Sequence, residues 1–523
     1  MRKIIVILFF ASYLLIGLST YKDYGISWDE KHNCDIGAIS YDYVFKENRF
    51  LLKSHLQIYG VAFELPLIFI EKLLGLQDLR DIFLMRHLCT FLLFYISVWF
   101  FYLLCKDHFG RWEVGLLGSF FLIISPRIYA HSFYNSKDLA FLSMFIICLY
   151  SMTRYLGKKT LSRAAIHGFT SAILIDIRLG GVLVPFLTSI FVIWDLIKER
   201  AGRQNNKRII SSLIIYLMMT TAFVYLFWPF LWENPVRNFF LSLKSMGMYK
   251  QPGQVLYLGD YPWLQNMHWH YIPVWIMITT PLLYSLNFFM GIWTFLKSFF
   301  KKPWKIYSKN RERNELIFFL CFFMPLVANM ILGAAVFNAW RHMFFIYPVF
   351  LLLSLKGLLT IYEWIKLKFR GVLFKWVYAA FVFFISINLL STIRFMVKNH
   401  PFQNIYFNRL AGKNMEIIKN RFELDYWGLS YRKALEYILV NDQAKKIRIH
   451  VANAPGYFNS FIISPLVRNR LVYVYQPKDA KYFLTNKTGP KDVYPYKNEF
   501  YSVKIGGAKI MVVYQLTRKE KKL

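Results

Sequence analysis

The chain has 523 residues, of which 56% are hydrophobic and only 18% are charged. This balance is too apolar for a soluble protein of that length, and it predicts a protein whose solvent is the bilayer. The net charge of +34 would indicate a nucleic-acid partner in a soluble chain. In a membrane protein the positive-inside rule explains such an excess, because Lys and Arg collect in the cytoplasmic loops. No nucleic-acid partner is therefore expected.

About eleven apolar runs are each approximately long enough to cross a hydrocarbon core as a helix. They predict an α-helical polytopic membrane protein. The first run follows Arg2 and Lys3 and is interpreted as a retained signal anchor. The runs are Ile4–Leu18, Ile82–Leu104, Val114–Tyr129, Leu139–Tyr155, Ala164–Ile177, Gly181–Ile197, Ile209–Phe230, Ile272–Leu296, Leu316–Val336, Met343–Ile361 and Phe374–Ile393.

Basic segments fall on one side of the predicted bilayer, which places the N-terminus in the cytoplasm. The apolar segment Val61–Leu76 carries three charges and a proline, so it is interpreted as an amphipathic helix at the interface. The basic segments are Arg154–Arg163, Lys198–Arg208, Lys297–Arg313 and Lys366–Lys375. The outer side then receives residues 21–81, 125–138, 176–180, 231–271, 337–342 and the tail from 394.

The tail is less apolar than the rest of the chain and alternates in hydrophobicity. Lys446–Val451, Leu471–Tyr475 and Lys509–Gln515 are predicted strands, and Tyr431–Val440 has helical spacing. The sequence therefore predicts a transmembrane domain over residues 1–395, with its chemistry in outer loops 21–81, 125–138 and 231–271. A small extracytoplasmic α/β domain is predicted over residues 396–523.

Two adjacent carboxylates, Asp29 and Glu30, follow the first predicted span. A carboxylate held there could take a proton from an acceptor hydroxyl. The alternative is an ordinary solvated acidic pair beside Lys31, because carboxylates are common at helix ends.

The second outer loop concentrates polar side chains against the bilayer, which is costly without a ligand or mutual pairing. Arg127 and Lys137 are candidate phosphate ligands, and Asn135 and Asp138 are candidate sugar or metal ligands. Pairing of Lys137 or Arg127 with Asp138 is the structural alternative. His131 completes this set.

Further cations stand at two other outer positions. Arg178 could hold a phosphate through two oxygens, or it could pair locally with Asp176. Arg341 and His342 form a charged cluster between the ninth and tenth spans, for which a snorkelling arginine is the alternative.

The longest internal outer loop contains His268 and His270 among many aromatic residues. An aromatic belt at the interface explains most of this composition, and stacking on a sugar is the sharper alternative. The two histidines are a weak metal signal because a zinc site needs further ligands. The sequence has no glycine-rich phosphate loop, zinc-protease motif or nucleophile elbow.

Taken in order along the chain, these motifs resemble the GT-C superfamily of integral membrane glycosyltransferases. The resemblance is to bacterial relatives of the protein O-mannosyltransferases and of the lipid A aminoarabinose transferase, and it covers nearly the whole chain. The segments that carry it are Gly25–Glu30, His131–Asp138, Arg178–Gly181, Trp228–Pro235, His270–Pro281, Arg341–Pro348, His400–Asn408 and Asp425–Leu435.

The resemblance implies inverting transfer of a sugar from a polyprenyl-phosphate donor to a protein, lipid or envelope-glycan acceptor. It assigns Asp29 as the general base beside Glu30, and Asp138 as a second acidic residue that organises the site. Arg178, Lys137 and Arg341 would hold the donor phosphate. A divalent metal requirement is left open, with Asp29 and Asp138 as its ligands. The predicted location is a bacterial inner membrane.

Two other classes compete with this prediction, and a polymerase or ligase of surface glycans is a further possibility that differs from it mainly in the acceptor. A transporter or flippase of lipid-linked sugars would also bind phosphate through cations, but it would place charged residues near the bilayer midplane. The predicted spans are mostly free of charge, and the polar groups lie at one end. A membrane-anchored scaffold for envelope polymers is the third possibility, and the polar density of the first two outer loops argues against it.

Overall fold

The structure is a computed structural model that describes residues 1–198, 203–247, 252–301, 307–333, 336–517 and 520. Parts of two predicted basic segments, 199–202 and 302–306, lie outside the described residues. So do 248–251 of the long outer loop, 334–335 near the end of the ninth predicted span, and 518–519 and 521–523 of the tail.

Helices dominate the chain as far as Lys398. They are α1 (Arg2–Thr20), α2 (Trp28–Lys46), α3 (Glu64–Leu73), α4 (Leu79–Phe109), α5 (Trp112–Ile123), α6 (Pro126–Tyr134), α7 (Asp138–Gly157), α8 (Leu161–Ile177), α9 (Leu183–Lys198), α10 (Arg203–Phe227), α11 (Pro235–Gly247), α12 (Tyr271–Thr279), α13 (Leu282–Phe300), α14 (Asn310–Leu332), α15 (Tyr347–Lys368) and α16 (Gly371–Lys398). Shorter helices follow in the tail: α17 (Met415–Lys419), α18 (Tyr431–Asn441), α19 (Pro455–Phe458) and α20 (Pro465–Arg468).

Each of the eleven predicted runs is helical over most of its length. In the part of the chain that the structure describes, eight helices are long and apolar enough to cross a membrane, or nine if α5 and α6 form one bent span. The fifth predicted run is the 17-residue α8, which is slightly shorter than these. The chain is a multi-pass membrane protein, as its composition predicts.

The third predicted span is broken. Helices α5 and α6 meet at an angle of 70°, and Ser125 between them has the extended ψ of 102°. Pro126 begins α6 and has no N–H group with which to continue the ladder of α5. The break turns α6 across the end of the helical bundle, and this places the second outer loop over the helix ends.

The eighth predicted span is also broken, between α12 and α13. Pro281 cannot donate a hydrogen bond to the Met277 carbonyl, so that carbonyl has no helical partner. Asn408 replaces it from the far end of the chain: its side-chain Nδ2 donates to the carbonyls of Met277 at 2.6 Å and Thr280 at 2.7 Å. The backbone N–H of Asn408 donates to Ile278 at 2.8 Å.

The bundle has a buried centre and a lipid-facing periphery. The spans containing α7 and α15 have 72% and 78% of their apolar windows buried inside the protein, against 22% for α1 and 11% for α16. Helices α13 and α15 pack closely through two glycines. A Cβ at Gly291 would lie 1.9 Å from the Leu353 carbonyl, and one at Gly357 would lie 1.9 Å from the Asn287 carbonyl. Such small residues let helix backbones approach in a membrane.

The segment predicted as an interfacial helix contains α3, which is too short to span. Its Glu64 and Glu71 face inward and are buried, while Phe69 and Leu73 are exposed. Glu64 belongs to the site described below, whereas Glu71 lies beside Lys72.

The tail folds into a five-stranded sheet of order β2-β1-β3-β5-β4. The predicted strands and the predicted helix are present as β1, β2, β5 and α18, and β3 and β4 are additional. Strand β1 pairs in parallel with β2 and β3, and β5 pairs antiparallel with β3 and β4. The strands are β1 (Ile447–Val451), β2 (Leu471–Tyr473), β3 (Tyr482–Thr485), β4 (Glu499–Ile505) and β5 (Ala508–Gln515).

Candidate active site

The two carboxylates after the first span have different surroundings. Ser27 is the N-cap of α2, and Glu30 completes a capping box by accepting the Ser27 N–H at 2.6 Å. Glu30 also contacts His87 Nε2 at 2.8 Å and is only 3% exposed. Asp29 remains one-third exposed. Lys31 pairs with Asp35 on the same helix, so the alternative of a solvated acidic pair beside Lys31 does not describe this loop.

Four charged residues from four separate segments meet at one place, and we call them the charged cluster: Asp29, Asp138, Arg178 and Arg341. Nη1 of Arg341 lies 2.7 Å from Oδ2 of Asp29 and 3.1 Å from Oδ2 of Asp138. Nη2 of Arg178 donates to the other oxygen of Asp138. Arg178 therefore does not pair with its neighbour Asp176, and Asp138 pairs with neither Lys137 nor Arg127.

The second outer loop is held by its own polar groups and by the tail. The Asn135 amide contacts Oδ2 of Asp138 at 3.0 Å and Nδ1 of His131 at 3.0 Å. At the other nitrogen of the His131 ring, Trp427 Nε1 donates to His131 Nε2 at 3.2 Å. The Trp427 indole also lies 4.8 Å from the Arg341 guanidinium carbon, so the tail covers one side of the charged cluster.

Lys137 is a cation beside the cluster that forms no ion pair among the described residues. Its Nζ lies 3.6 Å from the centre of the Tyr59 ring. Burial and the neighbouring Arg178 guanidinium lower the pKa of Lys137 to about 7. The amine therefore changes its charge near neutral pH and can gain a proton when an anion arrives.

The position of Tyr59 depends on a close backbone contact. Oδ1 of Asp176 accepts the Val61 N–H at 2.6 Å, and a Cβ at Gly60 would lie 1.8 Å from the Asp176 carbonyl. Only glycine fits there. The carboxylate of Asp176 thus anchors the first outer loop, which explains why it is not the partner of Arg178.

Arg127 lies deeper, behind Tyr426, and is 2% exposed. Its Nε donates to the Tyr406 carbonyl at 3.1 Å. The guanidinium carbon is 4.7 Å from the Phe407 ring centre and 5.3 Å from that of Trp275, which are cation–π distances. In the described part of the chain no carboxylate pairs with it.

A second layer of charge lies below the cluster. Arg86 pairs with Glu64, and the two side chains are 1% and 8% exposed. The Ser136 hydroxyl donates to Glu64 at 2.5 Å and receives a contact from Asn33 at 3.3 Å. Because Ser136 adjoins Lys137 and Asp138 in the chain, this layer fixes the loop that carries both.

The remaining predicted histidines have different positions. His342 is half-buried next to Arg341, and its ring meets that of Phe337 edge-on with the ring centres 5.0 Å apart. His270 contacts the Tyr257 hydroxyl at 2.7 Å, and His268 stacks on His270 at 5.2 Å. Among the described residues, neither His268 nor His270 contacts the charged cluster, and His268 is exposed.

The net charge of the site is positive. Arg127, Lys137, Arg178 and Arg341 stand against Asp29 and Asp138, while Glu64 pairs with Arg86 and Glu30 contacts His87. With Lys137 protonated, the site has two positive charges in excess if His87 is protonated and one if His87 is neutral. A buried excess of this kind is costly without an anion, so the arrangement suits a phosphate group.

The donor set does not fit a divalent metal ion. Asp29 and Asp138 are the predicted ligands, but Nη1 of Arg341 lies between their oxygens. Among the described residues, no group of three His, Cys, Asp or Glu side chains is arranged to hold a metal.

Several residues of the site were not predicted from the sequence. Arg86 and His87 lie inside the second apolar run, and two adjacent ionisable groups in a span are a signal for a functional or paired site. Glu64 is one of the three charges that indicate an interfacial position for Val61–Leu76, and nothing local in the sequence predicts its pairing with Arg86. Trp427 lies in a tail motif, and no local pattern indicates that it folds back over the cluster.

No protein-family model matches the chain, and no curated protein is similar to it in sequence. Solved structures are similar in fold. ArnT from Cupriavidus metallidurans bound to undecaprenyl phosphate is 12% identical, with a TM-score of 0.49, over 97% of both chains. The Archaeoglobus fulgidus oligosaccharyltransferase is 11% identical, with a TM-score of 0.48, over 90% of this chain and 65% of that one.

Both of these proteins are GT-C glycosyltransferases, the class that the sequence resemblance names. A second structure of the archaeal oligosaccharyltransferase, AglB with an inhibitory peptide and dolichol phosphate, has a TM-score of 0.43 at 10% identity over 82% of this chain and 61% of that one. At such identities and TM-scores the similarity assigns no residue of this chain a role.

Proposed function

We propose that the chain is a membrane glycosyltransferase that transfers a sugar from a polyprenyl-phosphate donor to an acceptor at the cluster end of the helices. The observation that carries the proposal is the meeting of Asp29, Asp138, Arg178 and Arg341, which lie up to 312 positions apart in the sequence. The sequence resemblance supplies the donor class. The excess positive charge supports a phosphate there.

Asp29 is the proposed general base. It is the most exposed carboxylate of the charged cluster, at 33% against 1% for Asp138, and a base must reach the proton that it removes. The acceptor oxygen or nitrogen attacks the anomeric carbon and its proton passes to Asp29. The bond between that carbon and the phosphate oxygen breaks on the opposite face, so the configuration inverts.

The cations stabilise the leaving phosphate. The departing polyprenyl phosphate gains a negative charge as the sugar leaves, and preorganised cations in a water-poor site stabilise such charge strongly. Lys137 and Arg178 adjoin Asp138, and Arg341 joins both carboxylates. Asp138 orients the two arginines and is therefore a positioning residue in this scheme.

The geometry favours transfer over transport. Transporter sites lie near the middle of the bilayer between broken repeat helices. Here Asp138 is the first residue of α7, and Arg341 opens the long apolar segment that continues through α15. The charged groups thus lie at one end of the bundle.

The test is an in vitro transfer assay with a panel of polyprenyl-phosphate sugars. Asp29→Asn is expected to lower turnover by about a hundredfold or more, the usual contribution of a general base, with an unchanged unfolding temperature. Asp35→Asn is the matched control, because Asp35 lies on the same helix, is 45% exposed and pairs with Lys31. Normal turnover in the Asp29 variant would exclude it as the base.

A further inference from the structure

Helix α11 has polar side chains turned toward the protein and apolar side chains turned away from it. Asn238 and Ser242 are 8% and 0% exposed. Val236, Phe240 and Leu243 are 67%, 62% and 41% exposed. A helix on the surface of a soluble domain shows the reverse arrangement, because its apolar stripe faces the core. The orientation of α11 therefore indicates that its outward side does not face water.

The outward side chains of α11 form two rows. Val236, Phe240 and Leu243 follow one another at intervals of four and three residues, so they share one face of the helix. We call them the apolar row. Arg237 and Lys244, which are also exposed, lie beside it on the helix surface, and we call them the basic row. An apolar face flanked by Lys and Arg is typical of helices that lie in the membrane interface.

The carboxylate nearest to the basic row in sequence serves a different segment. Glu233 lies 3.9 Å from Arg49 and accepts a hydrogen bond from the Tyr43 hydroxyl at 3.4 Å. Both of these partners belong to the first outer loop. Among the described residues, Arg237 and Lys244 form no ion pair with Glu233 or with another carboxylate. The basic row can therefore contact anionic groups outside the protein.

The level of α11 along the bundle is set by the end of α10. Helix α10 contains the apolar span Asn206–Phe227. Nε1 of Trp232 donates to the Tyr225 carbonyl in the last turn of that span at 2.8 Å. Nδ2 of Asn238 donates to the Phe230 carbonyl at 2.7 Å. These two hydrogen bonds hold α11 at the level where a membrane span ends.

This end of α10 lies on the same side of the bundle as the charged cluster. Trp228 packs in one apolar group with Ile175 and Leu179, and Leu179 adjoins Arg178 in the chain. Phe239 of α11 belongs to the same group, with its ring centre 6.4 Å from that of Trp228. The inward side of α11 therefore packs against the segment that carries one of the cluster arginines.

A phospholipid surface supplies the contacts that both rows of α11 need at this level. Acyl chains cover an apolar row, and headgroup phosphates attract Lys and Arg beside it. The lipid-facing surface of α10 also continues up to α11, because Tyr225 and Leu226 in its last turn are 43% and 54% exposed. A protein partner would need an apolar face with acidic groups placed along one edge.

We infer that α11 lies in the membrane interface on the side of the charged cluster, with its apolar row among the acyl chains and its basic row at the headgroup phosphates. The helix has 13 residues, which is too short for a span. Part of the long predicted outer loop 231–271 is then a membrane-bound element. This inference does not depend on the proposed function.

The experiment measures the surroundings of a nitroxide spin label on the full-length protein in phospholipid liposomes. The label is attached through Phe240→Cys in a Cys34→Ser/Cys89→Ser background, because the three other cysteines are buried. Collisions with oxygen, which concentrates in lipid, are compared with collisions with a water-soluble nickel chelate. The label is expected about 5–10 Å inside the boundary between headgroups and acyl chains.

Two reference positions calibrate the measurement. Phe383→Cys reports lipid, because Phe383 is 66% exposed on α16, whose apolar window is only 11% buried. Lys445→Cys reports water, because Lys445 is exposed in the polar segment between α18 and β1. Labels at Val236 and Leu243 are expected to resemble the lipid reference. Labels in the basic row should fall between the two references.

Three results would overturn the inference. Nickel-chelate collisions at Phe240 as frequent as those at Lys445 would place α11 in water. Low accessibility to both reagents would show that protein covers the apolar row, either a second copy or another part of this chain. Equal accessibility in the two rows would contradict the proposed orientation. Val236→Cys and Leu243→Cys repeat the test if Phe240→Cys fails to fold. Sugar transfer is not part of the readout, so failure here leaves the proposed function unaffected.

Discussion

The affinity for a lipid phosphodiester should fall as the pH rises through the pKa of Lys137. Burial and Arg178 lower that pKa to about 7, so the free amine is charged at pH 6 and largely neutral at pH 9. An anion binds the charged form, and above pH 7 the amine must take up a proton on binding. That uptake costs about 1.4 kcal/mol for each pH unit.

The size of the effect is bounded by the contact itself. A hydrogen bond between charged groups contributes about 1.5–3 kcal/mol, which is roughly ten- to a hundredfold in affinity. The dissociation constant should therefore be constant below about pH 6 and be larger by that factor at pH 9. A suitable probe is methyl undecaprenyl phosphate. It is a phosphodiester, and its single negative charge does not titrate in this range.

Two substitutions isolate the lysine. Lys137→Met should bind weakly at every pH, and Lys137→Arg should bind without this pH dependence because its guanidinium stays charged. Lys31→Met is the matched control, since Lys31 pairs with Asp35 on the surface of α2, and should keep the wild-type profile. A flat profile in the wild type, or the same slope in Lys137→Met, would refute the role of this amine.

Two further predictions concern stability, measured by thermal or denaturant unfolding in detergent. Glu64→Gln leaves the guanidinium of Arg86 buried and unpaired and should cost about 3–5 kcal/mol, whereas Glu64→Gln/Arg86→Met should regain most of it; equal losses in both variants would contradict the pairing. Trp427→Phe removes the bond to His131 and should cost about 1 kcal/mol, whereas Trp427→Ala also removes the ring over Arg341 and should cost about 3–5 kcal/mol. Equal effects of the two substitutions would show that the ring adds nothing.

The sequence predicted the helices well because the requirement for apolar length is local. It predicted one span over Val114–Tyr129, although Ser125 and Pro126 turn the chain by 70°. It also missed β3 and β4. Strand β3 is a continuous buried run without alternation, and β4 contains two register shifts that interrupt its period of two.

The candidate site was predicted in part. Asp29, Asp138, Arg178 and Arg341 were identified separately from their positions at the ends of spans, but no pattern shows that Arg341 bridges two carboxylates. The pairing depends on how four segments meet in space. The sequence indicates Asp176 as an alternative partner of Arg178 because the two residues are close in the chain. Only the folded chain shows that the Asp176 carboxylate accepts the Val61 N–H.

Asn408 lies beyond the predicted domain boundary at residue 395, but its hydrogen bonds are to the helical bundle. A chain that stopped there would leave the carbonyls of Met277, Ile278 and Thr280 without the donors that Asn408 supplies, at a break in a membrane helix where lipid offers no replacement. The helical bundle therefore depends on the chain at least as far as Asn408, which lies beyond that boundary. The bundle cannot reach its final form until synthesis has passed this asparagine.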